Sequence, residues 1–369
     1  QMRGVSLATT YVCLTNSFRK TDSVYFIKHQ TQSEQMVIFT RMRLPTRKLI
    51  KCVSCFLLLT SVLLFCFLHP HLKTLSILWV NSIVNRSDGK LYICPLFMGR
   101  LGNTMFQYAA AYGIASEKDM TVLLPRNSLI DRTFKVDGVV LENATHMCST
   151  FPFHRALDSN WAMYNQSFSA GIPRNYDVSI QGYFQSYKYF NHVKDAIKKQ
   201  FLSFYDETTT KALAILQETR QYYLAKQNVI NVTLIGVHVR RGDRLSTTEV
   251  QLGCKVAPKE YFIKAMDYFA SKYEHPVFVV CGENQTWARE NVPSRYNAVF
   301  LNQSSTPDVD FAILTMCDHM IVSIGSYSWW AAYLNVGEIV YYNDWLLPGS
   351  YLYKGYKHED YFPPEWIPM

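Results

Sequence analysis

From Val232 to Tyr342 the chain repeats one unit: a short apolar run, a polar loop, then a stretch with helical periodicity. The apolar runs are predicted as strands over Thr233–Val239, Val277–Cys281, Val299–Leu301, Met320–Ser323 and Ile339–Tyr342. Between them, Pro258–Tyr273 places Tyr261, Phe262, Ala265, Met266 and Phe269 on one helical face. A short helix is expected near Trp287. Another is expected from Pro307 to Asp318, with Thr306 as its cap, and a last one over Ser328–Leu334. Strands alternating with helices in this way demand crossover connections, so the predicted class is α/β with a parallel, doubly wound sheet.

A weaker version of the pattern precedes it. Leu91–Cys94 reads as a strand, and Gly99–Asn103 as a glycine loop opening an apolar helix that runs to Ala115. Thr121–Pro125 is the next strand. Residues 126–190 show no clear period, although Gln181–Phe190 mixes aromatic and polar side chains of a kind that lines sugar clefts or packs a core. A helical connector is expected over 191–227. The predicted organisation is therefore a first half over 90–230, a second over 231–345 and a C-terminal extension over 346–369.

Three polar loops fall where strand ends should lie, and ligands of open α/β sheets bind beyond those ends. The first is Gly99–Asn103, where amides near Gly102 and the side chain of Asn103 open a helix. It is neither GxGxxG nor a P-loop; a plain tight turn is the competing reading. The second is His238-Val-Arg-Arg-Gly-Asp243. Two arginines there read as an anion site suited to a phosphate, or as a solvated face. The period of two puts His238 and Arg240 on one face, directed into a cleft. Arg241 then faces the other way and is expected to anchor the turn through Asp243. The third is Ser323–Ser328, with Ser326 and Ser328 as hydroxyl donors at a helix start.

The N-terminal part differs in character. The formal net charge is +8, and residues 1–51 carry nine Lys/Arg against Asp22 and Glu34, so +7 of it lies there. The remainder is nearly neutral and lacks the basic face that nucleic-acid binding needs. Cys52–Leu68 carries no charge and, with Leu49 and Ile50, reaches about the 20 residues that span a bilayer. Arg41, Arg43, Arg47, Lys48 and Lys51 precede it and only Lys73 follows closely, which places the tail in the cytosol and the rest across the membrane. A cleaved signal peptide and a buried core helix are the alternatives; the lack of a small-residue cleavage site favours an anchor. Residues 1–48 are thus expected to be a disordered cytosolic tail, 49–68 a transmembrane signal anchor and 69–89 a stem. Six N-x-S/T acceptor patterns, at Asn85, Asn143, Asn165, Asn231, Asn284 and Asn302, all follow the apolar run. Five cysteines follow it too, so at least one stays unpaired within the chain. Cys281 and Cys317 read as buried thiols.

The motifs Gly99-Arg-Leu-Gly-Asn-Thr-Met-Phe-Gln-Tyr-Ala109, His238-Val-Arg-Arg-Gly-Asp243 and Ser326-Tyr-Ser-Trp-Trp-Ala-Ala332 together resemble those of the α-1,2-fucosyltransferase family, glycosyltransferase family eleven. The resemblance covers about residues 90–345 and fades over 126–230. The family's third motif usually carries Ser-Asn-Ser, whereas Ile324-Gly325 precede Ser326 here. The resemblance implies a GT-B-like fold of two Rossmann-type domains with a donor cleft between them. It implies GDP-L-fucose as donor, a glycan acceptor with a terminal galactose-like residue, inversion at the anomeric carbon, and a lumenal catalytic part in a single-pass type II Golgi membrane protein.

On that basis Arg240 is expected to be the main diphosphate cation, with His238 and Asp243 as catalytic partners. Asn103, Gly102, Arg241, Ser326 and Ser328 are expected around the donor, and Asp310 at its guanine or ribose edge. Asp308-Val309-Asp310 has the D-x-D form of metal-dependent transferases, but acids in a first helical turn also suit the macrodipole. No metal is expected. Asp243, His238 and Glu283 are the base candidates by residue type, and none is singled out. The competing readings are a protein O- or core α-1,6-fucosyltransferase-like enzyme and a non-catalytic lumenal glycan-binding membrane protein.

Overall fold

The computed structural model describes residues 12–14, 25–27, 89–156, 160–301 and 305–369. The anchor, most of the stem and the acceptor patterns at Asn85 and Asn302 lie outside the described residues. Within the expected tail, strands β1 (Val12–Leu14) and β2 (Tyr25–Ile27) pair antiparallel. Among the described residues no helix is long and apolar enough to cross a membrane.

Residues 89–369 form one compact unit built on two all-parallel sheets. The first contains β3 (Leu91–Pro95), β4 (Met120–Pro125), β5 (Val139–Leu141), β6 (Phe153–Arg155) and β7 (Val178–Gln181), in the order β5-β4-β3-β7-β6. Helix α1 (Leu101–Lys118) follows β3. The strands β5, β6 and β7 lie in the stretch where no period was legible. At three or four residues each, with β5 half-buried throughout, they are too short to show one. The expected connector is interrupted: after a helix over Lys194–Phe201, the long helix α2 spans Asp206–Gln227.

The second sheet follows the predicted pattern closely. It contains β8 (Thr233–Val239), β9 (Pro276–Gly282), β10 (Asn297–Phe300), β11 (His319–Val322), β12 (Ile339–Tyr341) and β13 (Ile367–Pro368). Its helices include α3 (Lys259–Lys272), α4 (Pro307–Met316) and α5 (Ser326–Leu334). Pro258 proves to be the cap of α3 rather than its first residue. Thr306 precedes α4, but its side chain makes no capping bond. The order β10-β9-β8-β11-β12-β13 is 3-2-1-4-5-6 counted along the chain, the order of a Rossmann sheet. The C-terminal extension is part of it, since β13 pairs with β12.

The two sheets meet along an aromatic seam. Phe106 of α1 packs 4.4 Å from Trp329 and 5.0 Å from Trp330, both on α5. Phe190 stacks on Trp330 at 5.2 Å. Trp329 Nε1 donates to the Tyr361 carbonyl at 2.8 Å, binding in the C-terminal extension. The paired tryptophans of the third motif are thus fully buried core, each of a size whose truncation costs about 3–5 kcal/mol. Cys94 and Cys148 form a disulfide with a Cα–Cα distance of 5.8 Å; Cys254, Cys281 and Cys317 are free and buried.

Candidate active site

Each sheet has a point where successive strands depart in opposite directions, and a crevice opens there beyond the strand ends. In the second sheet this point lies between β8 and β11. Arg240 follows the first and Ser323–Ser326 follow the second. In the first sheet it lies between β3 and β7, followed respectively by Gly99–Asn103 and Gln185. The fold turns these two points toward each other.

Gly102 makes the approach possible. A Cβ there would lie 2.5 Å from both the Ser326 carbonyl carbon and the Tyr327 nitrogen. Two helix starts, those of α1 and α5, therefore touch. Ser326 Oγ donates to Asn103 Oδ1 at 2.7 Å, and Gln185 Nε2 donates to the same oxygen at 3.0 Å. Neither start is capped by a side chain: Arg100 and Gly325 occupy the cap positions without such a bond. Positive ends of two macrodipoles thus converge on one place.

The charges collect beside them. Arg240 donates to Asp243 at 2.6 Å and also pairs with Glu283. Its backbone amide donates to Ser323 Oγ at 3.0 Å, locking the strand exit. From the other sheet, Arg100 reaches Asp243 at 3.5 Å and Glu283 at 3.7 Å. Arg240 is held, with 15% of its side chain exposed, whereas Arg100 is 75% exposed. Two guanidinium groups from opposite sheets therefore share two carboxylates. An incoming dianion would compete with those acids for both arginines.

Several expected positions need correcting. Arg241 does not brace Asp243; it stacks 4.1 Å over Trp287 and donates to the Ala257 carbonyl at 3.2 Å. The strand's alternation points it away from Arg240, and the Ala257 carbonyl and the Trp287 face take it up in place of Asp243. Ser328 is fully buried and donates back to the Ile324 carbonyl at 2.9 Å, so its hydroxyl does not face the crevice. His238 is buried beneath Arg240, with its ring 5.2 Å from Tyr327. Burial first, and then the Arg240 charge, push its pKa down to about 3. The imidazole is therefore neutral, and its buried Nδ1 has no partner. Asp310 sits on α4 with one oxygen buried and unpartnered, and burial raises its pKa. Asp308 accepts from Thr208 at 2.8 Å, so it is engaged by α2.

Arg100 and Gln185 were not among the expected site residues. Arg100 lay within the first motif, but a surface arginine carries no periodic signal. Gln185 lay in the aperiodic stretch, and only the sheet order brings it to Asn103. A separate cavity of about 330 Å³, lined in part by Tyr187, Lys198 and Tyr333, contains none of these residues.

The sequence pattern of Glycosyl transferase family 11 matches residues 64–369. The chain is 32% identical over 274 residues to galactoside alpha-(1,2)-fucosyltransferase 1 of Saimiri boliviensis boliviensis, covering 73% of this chain and 72% of that one. It is 32% identical over 274 residues to galactoside alpha-(1,2)-fucosyltransferase 2 of Hylobates lar, covering 73% of this chain and 76% of that one. A solved structure of POFUT1 in complex with GDP-fucose is a remote likeness only, with a TM-score of 0.46 and 11% identity, covering 70% of this chain and 98% of that one.

Proposed function

We propose that this chain, which belongs to glycosyl transferase family 11, moves L-fucose from GDP-β-L-fucose to a galactoside hydroxyl, forming an α-1,2 link with inversion. The observation that carries the mechanism is the meeting of Arg100 and Arg240 beside two uncapped helix starts. Departure of GDP leaves a growing charge on the diphosphate. The held guanidinium of Arg240 and the aligned amides of the two helix starts stabilise that charge. Arg240 is the principal cation, and Arg100 closes on the donor from the opposite sheet. Asn103 and Ser326 hold the two helix starts in register. His238, neutral and buried, supports Arg240 from below rather than exchanging protons. Asp310 stands for the nucleoside edge.

The two facing sheets support a GT-B-like reading, with the donor held by the Rossmann-ordered half. Asp308 is taken up by Thr208, which supports reading D-x-D as a helix start rather than a metal pair. The expected outcome is full activity in EDTA, and rescue by Mn²⁺ after a loss in EDTA would overturn it. A lumenal Golgi location with a type II anchor is supported by the disulfide, which needs an oxidising compartment, and by exposed acceptor asparagines at Asn143, Asn231 and Asn284.

The deciding experiment assays the full-length chain against GDP-fucose, GDP-mannose and UDP-sugars, with lactose as acceptor. Fucose transfer, with an α-1,2 link in the product, is expected. Turnover of UDP-sugars alone would refute the activity, and an α-1,6 or peptide-linked product would refute the linkage.

A further inference from the structure

Two loops of the second sheet lie against each other, and the first begins beside Arg240. The first runs from Asp243 through a short helix, Thr247–Leu252, to Gly253. Its start is tied to the site, since the Ser246 amide donates to the Asp243 carbonyl at 3.0 Å. The second loop follows β12. Leu347 donates its amide to the Gly253 carbonyl at 2.8 Å, and Cys254 bridges to Leu346. Gly253 sits so close to Ser350 that no side chain fits between them. This second loop also reaches the other sheet: Trp161 Nε1 donates to the Leu352 carbonyl at 3.0 Å, and the Ala162 amide to the Gly355 carbonyl at 3.0 Å. The two loops form a shelf that starts at Asp243, at the edge of the crevice, and is fastened to both halves.

Five large apolar side chains of this shelf stand in solvent: Leu245, Val250, Leu347, Tyr351 and Tyr353, each 44–57% exposed. A cluster of this kind marks an interaction surface rather than a solvated face. Among the described residues, none of 96–100, 126–128 and 182–186 contributes a large exposed apolar side chain. An acceptor must bring its hydroxyl to the sugar carbon beside the diphosphate, and therefore beside Arg240. The remainder of its chain must then run over a neighbouring surface. A pyranose has an apolar C–H face and a polar rim, and a half-exposed tyrosine ring matches both.

We propose that this shelf is the acceptor subsite, with Tyr351 and Tyr353 stacking against the pyranose rings of a neutral galactoside while Val250 and Leu347 floor it. The assignment rests on the reading of the chain as a glycan fucosyltransferase. Tyr351 and Tyr353 are positioning residues that set acceptor affinity and leave the donor untouched.

The test uses the full-length chain with N-acetyllactosamine as acceptor, in the wild type, the double variant Tyr351→Ala/Tyr353→Ala and the double variant Tyr351→Phe/Tyr353→Phe. The alanine pair is expected to raise the acceptor KM at least about tenfold, as the loss of one or two ring contacts predicts. The GDP-fucose KM and the slow hydrolysis of donor should stay within twofold, and the phenylalanine pair should restore the acceptor KM. An unchanged acceptor KM in the alanine pair, or an equal change in the donor KM, overturns the subsite. If the wild type neither transfers nor hydrolyses GDP-fucose, the activity itself fails. Saturation-transfer NMR with N-acetyllactosamine then decides the shelf separately: signal lost in the alanine pair supports it, and signal equal to wild type overturns it.

Discussion

Ser326 donates a 2.7 Å hydrogen bond to Asn103 Oδ1 across 223 residues of sequence. That carboxamide oxygen also accepts from Gln185, so one atom registers two helix starts from two sheets. Asn103→Asp keeps both bonds but adds a negative charge where the donor's diphosphate is to lie. The expected result is an intact fold with GDP affinity lowered on the order of 100-fold, about 2.7 kcal/mol. Calorimetric titration with GDP reads it, and unchanged affinity would remove Asn103 from the donor site.

Arg240 makes a geometry that an ammonium group does not reproduce, because its guanidinium meets Asp243 and Glu283 from two nitrogens at once. Arg240→Lys should therefore lower kcat by about 10²–10³-fold, the scale for losing one preorganised charge partner. Arg100→Ala should cost less, since that side chain is largely exposed. Steady-state kinetics with GDP-fucose distinguishes them. Equal losses would mean that the exposed arginine becomes as fixed as the buried one once donor binds.

Gly102→Ala forces a methyl group into the backbone of Ser326 and Tyr327. Backbone does not yield as a flexible side chain does, so the two helix starts must part. A loss of about 1–3 kcal/mol in stability is expected, together with loss of transfer. Thermal denaturation and a transfer assay on the same preparation check both; a variant of wild-type stability and activity would show that the contact is relaxed in solution.

His238 gives a signed pH dependence. Its pKa is lowered to about 3 in the fold, from 6.5. Between those values the unfolded chain binds a proton that the folded chain refuses. Its contribution to stability is therefore complete above 6.5 and is lost as pH falls toward about 3, at roughly 1.4 kcal/mol per unit. Urea unfolding of wild type and His238→Gln from pH 7 to 4 reads the difference in slope, which isolates this residue from the carboxylates. Parallel curves would show that the imidazole is accessible to protons in the native state.

The Cys94–Cys148 bridge closes a loop across 54 positions. Cys148→Ser should cost about 4 kcal/mol on the chain-entropy account, and melting with and without reductant reads it. Cys254, Cys281 and Cys317 are buried. These three should react with a thiol reagent only after denaturation; rapid labelling mapped by peptide mass to any of them in the native protein would contradict their placement.

Legibility followed element length and symmetry of environment. The core strand β8 was readable to its ends because it is buried along nearly its whole length and β-branched. Strands β5 and β6 were not, because three-residue edges carry no period. The first motif announced a glycine loop and a helix start. It did not reveal that Gly102 exists for a contact with Ser326, because that neighbour arrives from another sheet. Periodicity put His238 and Arg240 on one face. That His238 is covered there by Tyr327 and that Arg240 is held by Asp243 and Glu283 was not legible in it.

By itself the sequence determined what local patterns encode: an α/β chain, parallel strands, three polar loops at strand ends and a motif set resembling one transferase family. Tertiary structure alone decided which side chains share a charge. Asp243 went to Arg240 and Arg100 rather than to Arg241, because Trp287 and Ala257 captured the latter first. Ser328 turned inward while Ser326 turned to Asn103. Electrostatic and steric partners lie up to 223 positions away, and periodicity reports only which way a residue faces, not what stands opposite it.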